Sequence, residues 1–218
     1  MLEMINGSSS SFLDGLMLTM TSGFVWIPLY VALLYLVINN SETMAQIMLV
    51  VGAAVLCVLL SGGVCDYIVK PLVGRLRPVN DPMLRDIILS VEGYGSKDFS
   101  FFSSHAANTV SLTVFFSLVR NSKLFIAMLV WALTNCYTRL YLGVHYPSDV
   151  LVGIVWGALM GLLVYYIYTK LYSTLSMGGE FISNQYTSKG YTIVTTDIVV
   201  MTIVAIYVLS VLYAMTLS

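Results

Sequence analysis

The sequence predicts an all-α integral membrane protein, a six-transmembrane-helix bundle folded as a single membrane domain over residues 1–218. Three observations predict it. The chain is 58% hydrophobic and only 10% charged, with a mean hydropathy of +0.88, which is too apolar for a water-soluble fold. Six apolar runs free of Asp, Glu, Lys and Arg recur along it, separated by polar breaks. Eight of the ten Lys and Arg fall between Lys70 and Arg139, so positive charge is gathered at one place. A formal net charge of −1 argues against a nucleic-acid partner, which would call for a basic excess.

The N-terminus lacks the positive leader of a secretory signal, since Glu3 and Asp14 are its only charges. Residues 1–20 read as an interfacial stretch, with Phe12 to Met17 amphipathic. Gly15 to Ser41 holds the first span, its core at Gly23 to Ile38, with Trp26 and Tyr30 expected at an interface. Pro28 is tolerable near the helix start. Thr43 to Cys65 is the second span. Pro71 should stop its continuation, which leaves Lys70 at the exit.

Residues 69–102 form the one long polar connection, with Pro71, Pro78 and Pro82 in it; a loop this long in a compact membrane protein suggests function. The third and fourth runs, Ala106 to Val119 and Leu124 to Thr138, are short for a hydrocarbon layer of about 30 Å. Their polar ends must therefore sit near headgroup depth. Val150 to Thr169 is the fifth span. Gly153, Gly157 and Gly161 recur on it at intervals of four and make a flat stripe for close helix packing. Lys170 to Gly190 is a polar connection, and residues 191–218 carry the sixth span, with Asp197 near its entrance as an interfacial charge. Cys57, Cys65 and Cys136 all lie in apolar runs and read as buried thiols, with Cys57 and Cys65 too far apart along one helix for a bridge.

The intervals His105–Arg120 and Lys123–Arg139 each rise about 23 to 24 Å as helix. The second arm returns to the level where the first began, so His105 and Arg139 should face one water layer, with His145 and Asp149 just beyond. Six spans also put the 69–102 and 139–149 connections on the same side. Three clusters then meet: Lys70 and Arg77-Pro78; Ser103-Ser104-His105; and Arg139, His145 and Asp149. Lys70, Arg77 and Arg139 supply three cations suited to a phosphate and its charged transition state. Ser103 and Ser104, at a helix start, offer hydroxyls and free N–H groups to an anion. A carboxylate at Asp149 can hold the His145 imidazole in one tautomer and leave its other nitrogen free to attack. Arg75 and Arg85 read as headgroup or loop charges, and Asp66 as a simple partner for Lys70 four residues on.

These clusters, in this order and over residues 69–149, resemble the type 2 phosphatidate phosphatase superfamily, which includes bacterial lipid phosphatases and vanadium haloperoxidases. The chain has Ser104 where the family's middle motif usually has Gly, and Thr138 where its third motif usually begins with Ser. The resemblance implies a six-helix phosphatase core and hydrolysis of a lipid phosphomonoester or diphosphate through a phosphohistidine. It implies His145 as nucleophile, His105 as general acid and Asp149 as orienting partner. Lys70, Arg77, Ser103, Ser104 and Arg139 become the phosphate ligands, with no metal and no cofactor. The expected partners are membrane lipids, with undecaprenyl diphosphate the first substrate guess. Phosphatidylglycerophosphate, phosphatidate, lipid A and phosphate transfer to a second lipid stand as alternatives, and a haloperoxidase or transporter stands further off. The expected setting is a bacterial plasma membrane with the site facing out. Once Lys70, Arg77 and Arg139 are set aside as site residues, the loop charges lean weakly the same way.

Overall fold

The computed structural model describes residues 2, 5–8, 10–84, 86–91, 94–95, 99–119, 122–175 and 193–217. These hold eight α-helices and no strand. They are α1 (Ser11–Thr21), α2 (Ile27–Asn39), α3 (Met44–Val58), α4 (Lys70–Val73), α5 (Ser104–Val119), α6 (Ser122–Tyr141), α7 (Pro147–Leu175) and α8 (Ile193–Leu217). The helix ends follow local chemistry. Ser10 caps α1 through its side chain, Thr43 and Gln46 form a reciprocal capping box at α3, and proline opens α2 at its first turn. Arg85, Lys97, Arg120 and most of the Lys170–Gly190 connection lie outside the described residues.

All six apolar runs fold as helix. The segment from Met44 to Asn80 and the helices α6, α7 and α8 are each long and apolar enough to cross a membrane. Helix α1 and the Gly23–Asn39 segment reach that length and apolarity only when taken together, across a 63° bend. Helix α5, with 16 residues, is too short to clear the hydrocarbon alone and sits among its neighbours instead. The break at Ser22 corrects the expectation for Trp26. Its ring is not displayed on the surface but buried in the core, edge-on to Trp131 with centroids 6.0 Å apart. The turn carries the indole inward, and its N–H is satisfied there by the Met20 carbonyl at 2.8 Å.

Pro71 does not stop the second span either. Helix α3 passes through two π-helical turns, Leu59–Gly63 and Cys65–Val69, into α4, which ends only at Gly74. The wider turn moves the Cys65-to-Val69 carbonyls off α register, so the proline ring finds room where an α-helix would clash. Backbone groups loosened by the π turns are met from neighbouring helices. Gly62 N–H donates to Asn108 Oδ1 on α5 at 2.8 Å, and Trp156 Nε1 on α7 donates to the Leu60 carbonyl at 3.0 Å.

The glycine stripe brings α7 against α5, as the spacing predicts. A Cβ on Gly153 or Gly161 would stand 2.7 Å from the carbonyl oxygen of Ser103 or Ser111, and one on Gly157 would run into the Ala107 carbonyl. These contacts are with backbone, which cannot swing away as a side chain can. Gly157→Ala should therefore force the two helices apart and destabilise the fold by roughly 1–3 kcal/mol, the usual range for overpacking. Gly52→Ala, where nothing lies within 4 Å of the added methyl, should leave stability nearly unchanged. Thermal unfolding of both variants in detergent checks the pair, and equal behaviour would mean that the stripe carries no packing.

Candidate active site

Three chain segments converge at one end of the bundle, lashed together by backbone. After Gly74 the chain runs back along the 141–146 turn, where Val79 N–H donates to the Gly143 carbonyl at 3.2 Å. Gly143 holds φ +66°, and a side chain there would meet Ile88 Cγ2 at 2.6 Å, so only glycine suits this turn. Ser100 ties the end of the long connection to its start, donating to the carbonyls of Arg75 and Leu76 at 2.8 and 3.1 Å. Ser103 N–H then reaches the Asp149 carbonyl at 3.1 Å, which sets the N-terminus of α5 beside that of α7. The close α5–α7 packing and this lashing together bring in every residue expected at the site.

Lys70, Arg77, Ser103, Ser104, Arg139, His145 and Asp149 are all buried. Lys70 Nζ pairs with Asp66 Oδ1 at 2.6 Å, as expected from their spacing, and approaches Ser104 Oγ at 3.4 Å. The Ser104 hydroxyl thus has a definite partner. Ser103 Oγ accepts from Ala106 N–H at 3.4 Å and caps the start of α5. Arg139 is fixed by Nη1, which donates to Thr21 Oγ1 at 2.7 Å and to the Tyr94 hydroxyl at 2.9 Å; its Nε has no partner. Burial pushes the Tyr94 phenol up, but the Arg139 charge and hydrogen bond, with Thr21 and Arg77 adding to them, hold it below its ordinary pKa. His105, one residue into α5, is exposed, and Arg139, His145, Lys70 and Arg77 all lie within electrostatic reach of it.

His145 sits in the turn between α6 and α7. Its Nδ1 lies 3.7 Å from Asp149 Oδ2, close enough for charge to be felt but too long for a hydrogen bond. That face of the imidazole is the one turned to the carboxylate, so Nε2 is the nitrogen left for a substrate. Burial is the largest influence on this histidine and lowers it to about 4, with Arg139 and Arg77 adding to the effect and Asp149 opposing it. Asp149 itself accepts from Tyr146 N–H at 3.0 Å, the carboxylate half of a capping box at the start of α7.

Arg75 is not the solvated loop charge that the sequence suggests. Its Nη1 donates to Asp149 Oδ1 at 2.7 Å and to Ser148 Oγ at 3.0 Å, and its guanidinium covers the Tyr146 ring at 3.7 Å. The physical reason is desolvation: a fully buried carboxylate draws in a cation long enough to reach it. Sequence reasoning also missed Thr21 and Tyr94, which hold Arg139, and Tyr141, which donates to Asp14 Oδ1 at 2.6 Å. No local pattern marks these long-range partners. Among the described residues no group of three His, Cys, Asp or Glu is placed to hold a metal ion.

Buried cations gather near a His–Asp pair at one end of an apolar helix bundle, an arrangement suited to a phosphate group. The chain belongs to the PAP2 superfamily, whose family model matches residues 50–173, the stretch that carries all three clusters; it is a membrane phosphatase of that superfamily. It is 38% identical to a lipid A 4'-phosphatase of Bacteroides thetaiotaomicron over 80% of this chain and 78% of that one. It is 30% identical to a lipid A 4'-phosphatase of Porphyromonas gingivalis over 75% of this chain and 70% of that one. The fold is similar to the crystal structure of Aquifex aeolicus LpxE, with a TM-score of 0.60, 23% identity, and coverage of 76% of this chain and 92% of that one.

Proposed function

We propose that this membrane phosphatase removes a phosphomonoester from lipid A, the 4'-phosphate foremost, at the outer face of a bacterial plasma membrane. The observation that carries the reading is the burial of Lys70, Arg77 and Arg139 around the His145–Asp149 pair, in a chain this similar to named lipid A 4'-phosphatases. That similarity favours lipid A over undecaprenyl diphosphate, which the sequence alone put first.

The geometry suits a two-step displacement. The Nε2 lone pair of neutral His145 attacks phosphorus, and the bond from phosphorus to the lipid oxygen breaks. His105 gives a proton to that departing oxygen. The imidazole gains positive charge as the P–N bond forms, and Asp149 Oδ2, facing Nδ1, offsets it. Lys70, Arg77, Arg139 and the Ser103–Ser104 end of α5 hold the three remaining oxygens, whose charge is most in need of support in the transition state. Water then attacks the phosphohistidine, His105 takes its proton, and inorganic phosphate leaves. Transfer to a second lipid differs only in the acceptor of the second step.

The test is phosphate release by the purified chain from a panel of lipid A, undecaprenyl diphosphate, phosphatidylglycerophosphate and phosphatidate, with and without chelator. Lipid A should lose its 4'-phosphate fastest, and chelation should leave the rate unchanged. Preference for undecaprenyl diphosphate, phosphate passed only to another lipid, or activity that returns only with added metal would overturn the corresponding part of the reading.

The outward orientation has its own measurement. Met83 and Lys123 are both exposed at opposite ends of the bundle. In a background free of Cys57, Cys65 and Cys136, Met83→Cys should react with an impermeant thiol reagent on intact cells, and Lys123→Cys should not. The reverse pattern would place the site on the cytoplasmic side.

A further inference from the structure

Arg75 makes the shortest polar contact to the Asp149 carboxylate. The geometry divides that carboxylate cleanly. Oδ1 is taken by Arg75 at 2.7 Å, while Oδ2 accepts Tyr146 N–H at 3.0 Å and faces His145 Nδ1 at 3.7 Å. The same guanidinium reaches Ser148 and covers Tyr146, so one side chain grips Tyr146, Ser148 and Asp149 where the turn behind the histidine enters α7. It does so from the solvent edge: the Arg75 side chain is 35% exposed and that of Asp149 0%. A planar fork that bonds a carboxylate while stacking on a ring fixes orientation in a way that a lysine does not.

We infer that Arg75 is a positioning residue of the phosphatase, which occupies one oxygen of Asp149 so that the other stays aimed at His145. The inference rests on the proposed role of His145 as nucleophile. The guanidinium contacts of Arg75 are with Tyr146, Ser148 and Asp149. Its influence passes through Asp149, both by fixing the carboxylate's rotation and by neutralising part of its charge. Removing it leaves Asp149 a freer anion beside the imidazole, which favours imidazolium. His145 should therefore titrate at higher pH than the value near 4 that its burial imposes. The charged and titratable groups facing His145 are Arg139 from α6, Arg77 from the segment before Pro78, Asp149 from α7 and His105 from α5, with Lys70 of α4 acting on His105 beside it. Of these only Asp149 loses a partner when Arg75 is replaced, so a moved titration reports the Arg75–Asp149 link.

The chain has only two histidines, which allows a direct reading. In full-length protein carrying His105→Asn, nitrogen-15-labelled imidazole leaves one NMR titration, that of His145, to be followed in detergent micelles with Arg75, R75Q or R75K. R75Q keeps a polar side chain of similar length without the charge, and R75K keeps the charge without the fork. The expected result is an upward shift in R75Q, partly reversed in R75K. With His105 present, kcat on an aryl phosphate should fall roughly 10- to 100-fold in R75Q, the rate equivalent of one charge-assisted hydrogen bond. KM should stay within about twofold. R75K should recover part of the loss. An unmoved His145 titration with unchanged kcat would make Arg75 a structural anchor and overturn the inference. A rise in KM at constant kcat would do so too, by making Arg75 a phosphate ligand. If the unsubstituted chain releases no phosphate at all, the phosphatase reading fails, while the titration still decides whether Arg75 acts on His145 through Asp149.

Discussion

His145→Ala is expected to abolish turnover and, with it, any trapped phosphoenzyme, whereas His105→Ala should spare the first chemical step for an activated substrate. The two histidines lie on different segments and have different demands. His145 is buried with Nδ1 facing Asp149, so its Nε2 can attack only while neutral. His105 is exposed at the mouth of the same site, where a departing oxygen can meet it. An aryl phosphate has a leaving group that needs little protonation, so loss of His105 should leave phosphohistidine formation nearly intact and slow the second step. A lipid phosphate, with an alkoxide-like leaving group, should lose both steps. The pH profile tests the nucleophile's part of this assignment. His145 is held near 4 in the free protein, first by burial. As pH falls through that value the imidazole gains its proton and attack ceases; above it the nucleophile is fully available. The acid limb of kcat/KM should therefore lie near 4, well below an ordinary histidine. Rapid quench with labelled substrate decides the roles. A phosphoenzyme that survives His145→Ala, or vanishes equally in both variants with the aryl substrate, would contradict them.

Much of this arrangement is legible in the sequence, for reasons that differ from part to part. The helical segments are legible because the bilayer forbids alternatives: an uncharged run must satisfy its backbone internally. The convergence of His105, Arg139, His145 and Asp149 follows from helix rise alone, since two arms of similar length return to one level. The glycine stripe is legible because spacing by four has one geometric meaning on a helix. What escapes is whatever depends on a bend or a long-range partner. Pro71 marks a stop only if the turns before it are α-helical, and two π turns make them otherwise. Trp26 reads as an interfacial aromatic until the chain breaks at Ser22 and carries it inward. Arg75 and Tyr94 have no periodic or motif signature; their partners, Asp149 and Arg139, arrive from other segments. A buried carboxylate must find donors, but the sequence does not say which cation will be near enough.

Asp149→Asn is expected to reduce turnover by about three to four orders of magnitude, the scale on which an orienting carboxylate acts in a nucleophilic triad. The local chemistry makes the substitution harsher than its shape suggests. The carboxylate accepts at both oxygens, from Arg75 at Oδ1 and from Tyr146 N–H at Oδ2. An amide has one oxygen and one NH2 group, so it can accept from only one of the two. If the oxygen keeps Arg75, the NH2 group confronts the Tyr146 N–H and turns a donor toward His145. If the amide flips, the NH2 group confronts the Arg75 guanidinium instead. Either way one donor, Arg75 or the Tyr146 N–H, loses its acceptor. The developing imidazolium also loses its anion. The substitution should therefore lower kcat far more than it raises KM, because Asp149 supports charge that appears only as the P–N bond forms. Vanadate binding should survive in part, since Lys70, Arg77 and Arg139 remain, and that survival shows that the fold is intact. Full activity in the Asp149→Asn protein would make the carboxylate a structural cap of α7. Loss of vanadate binding together with turnover would assign the effect to collapse of the loop.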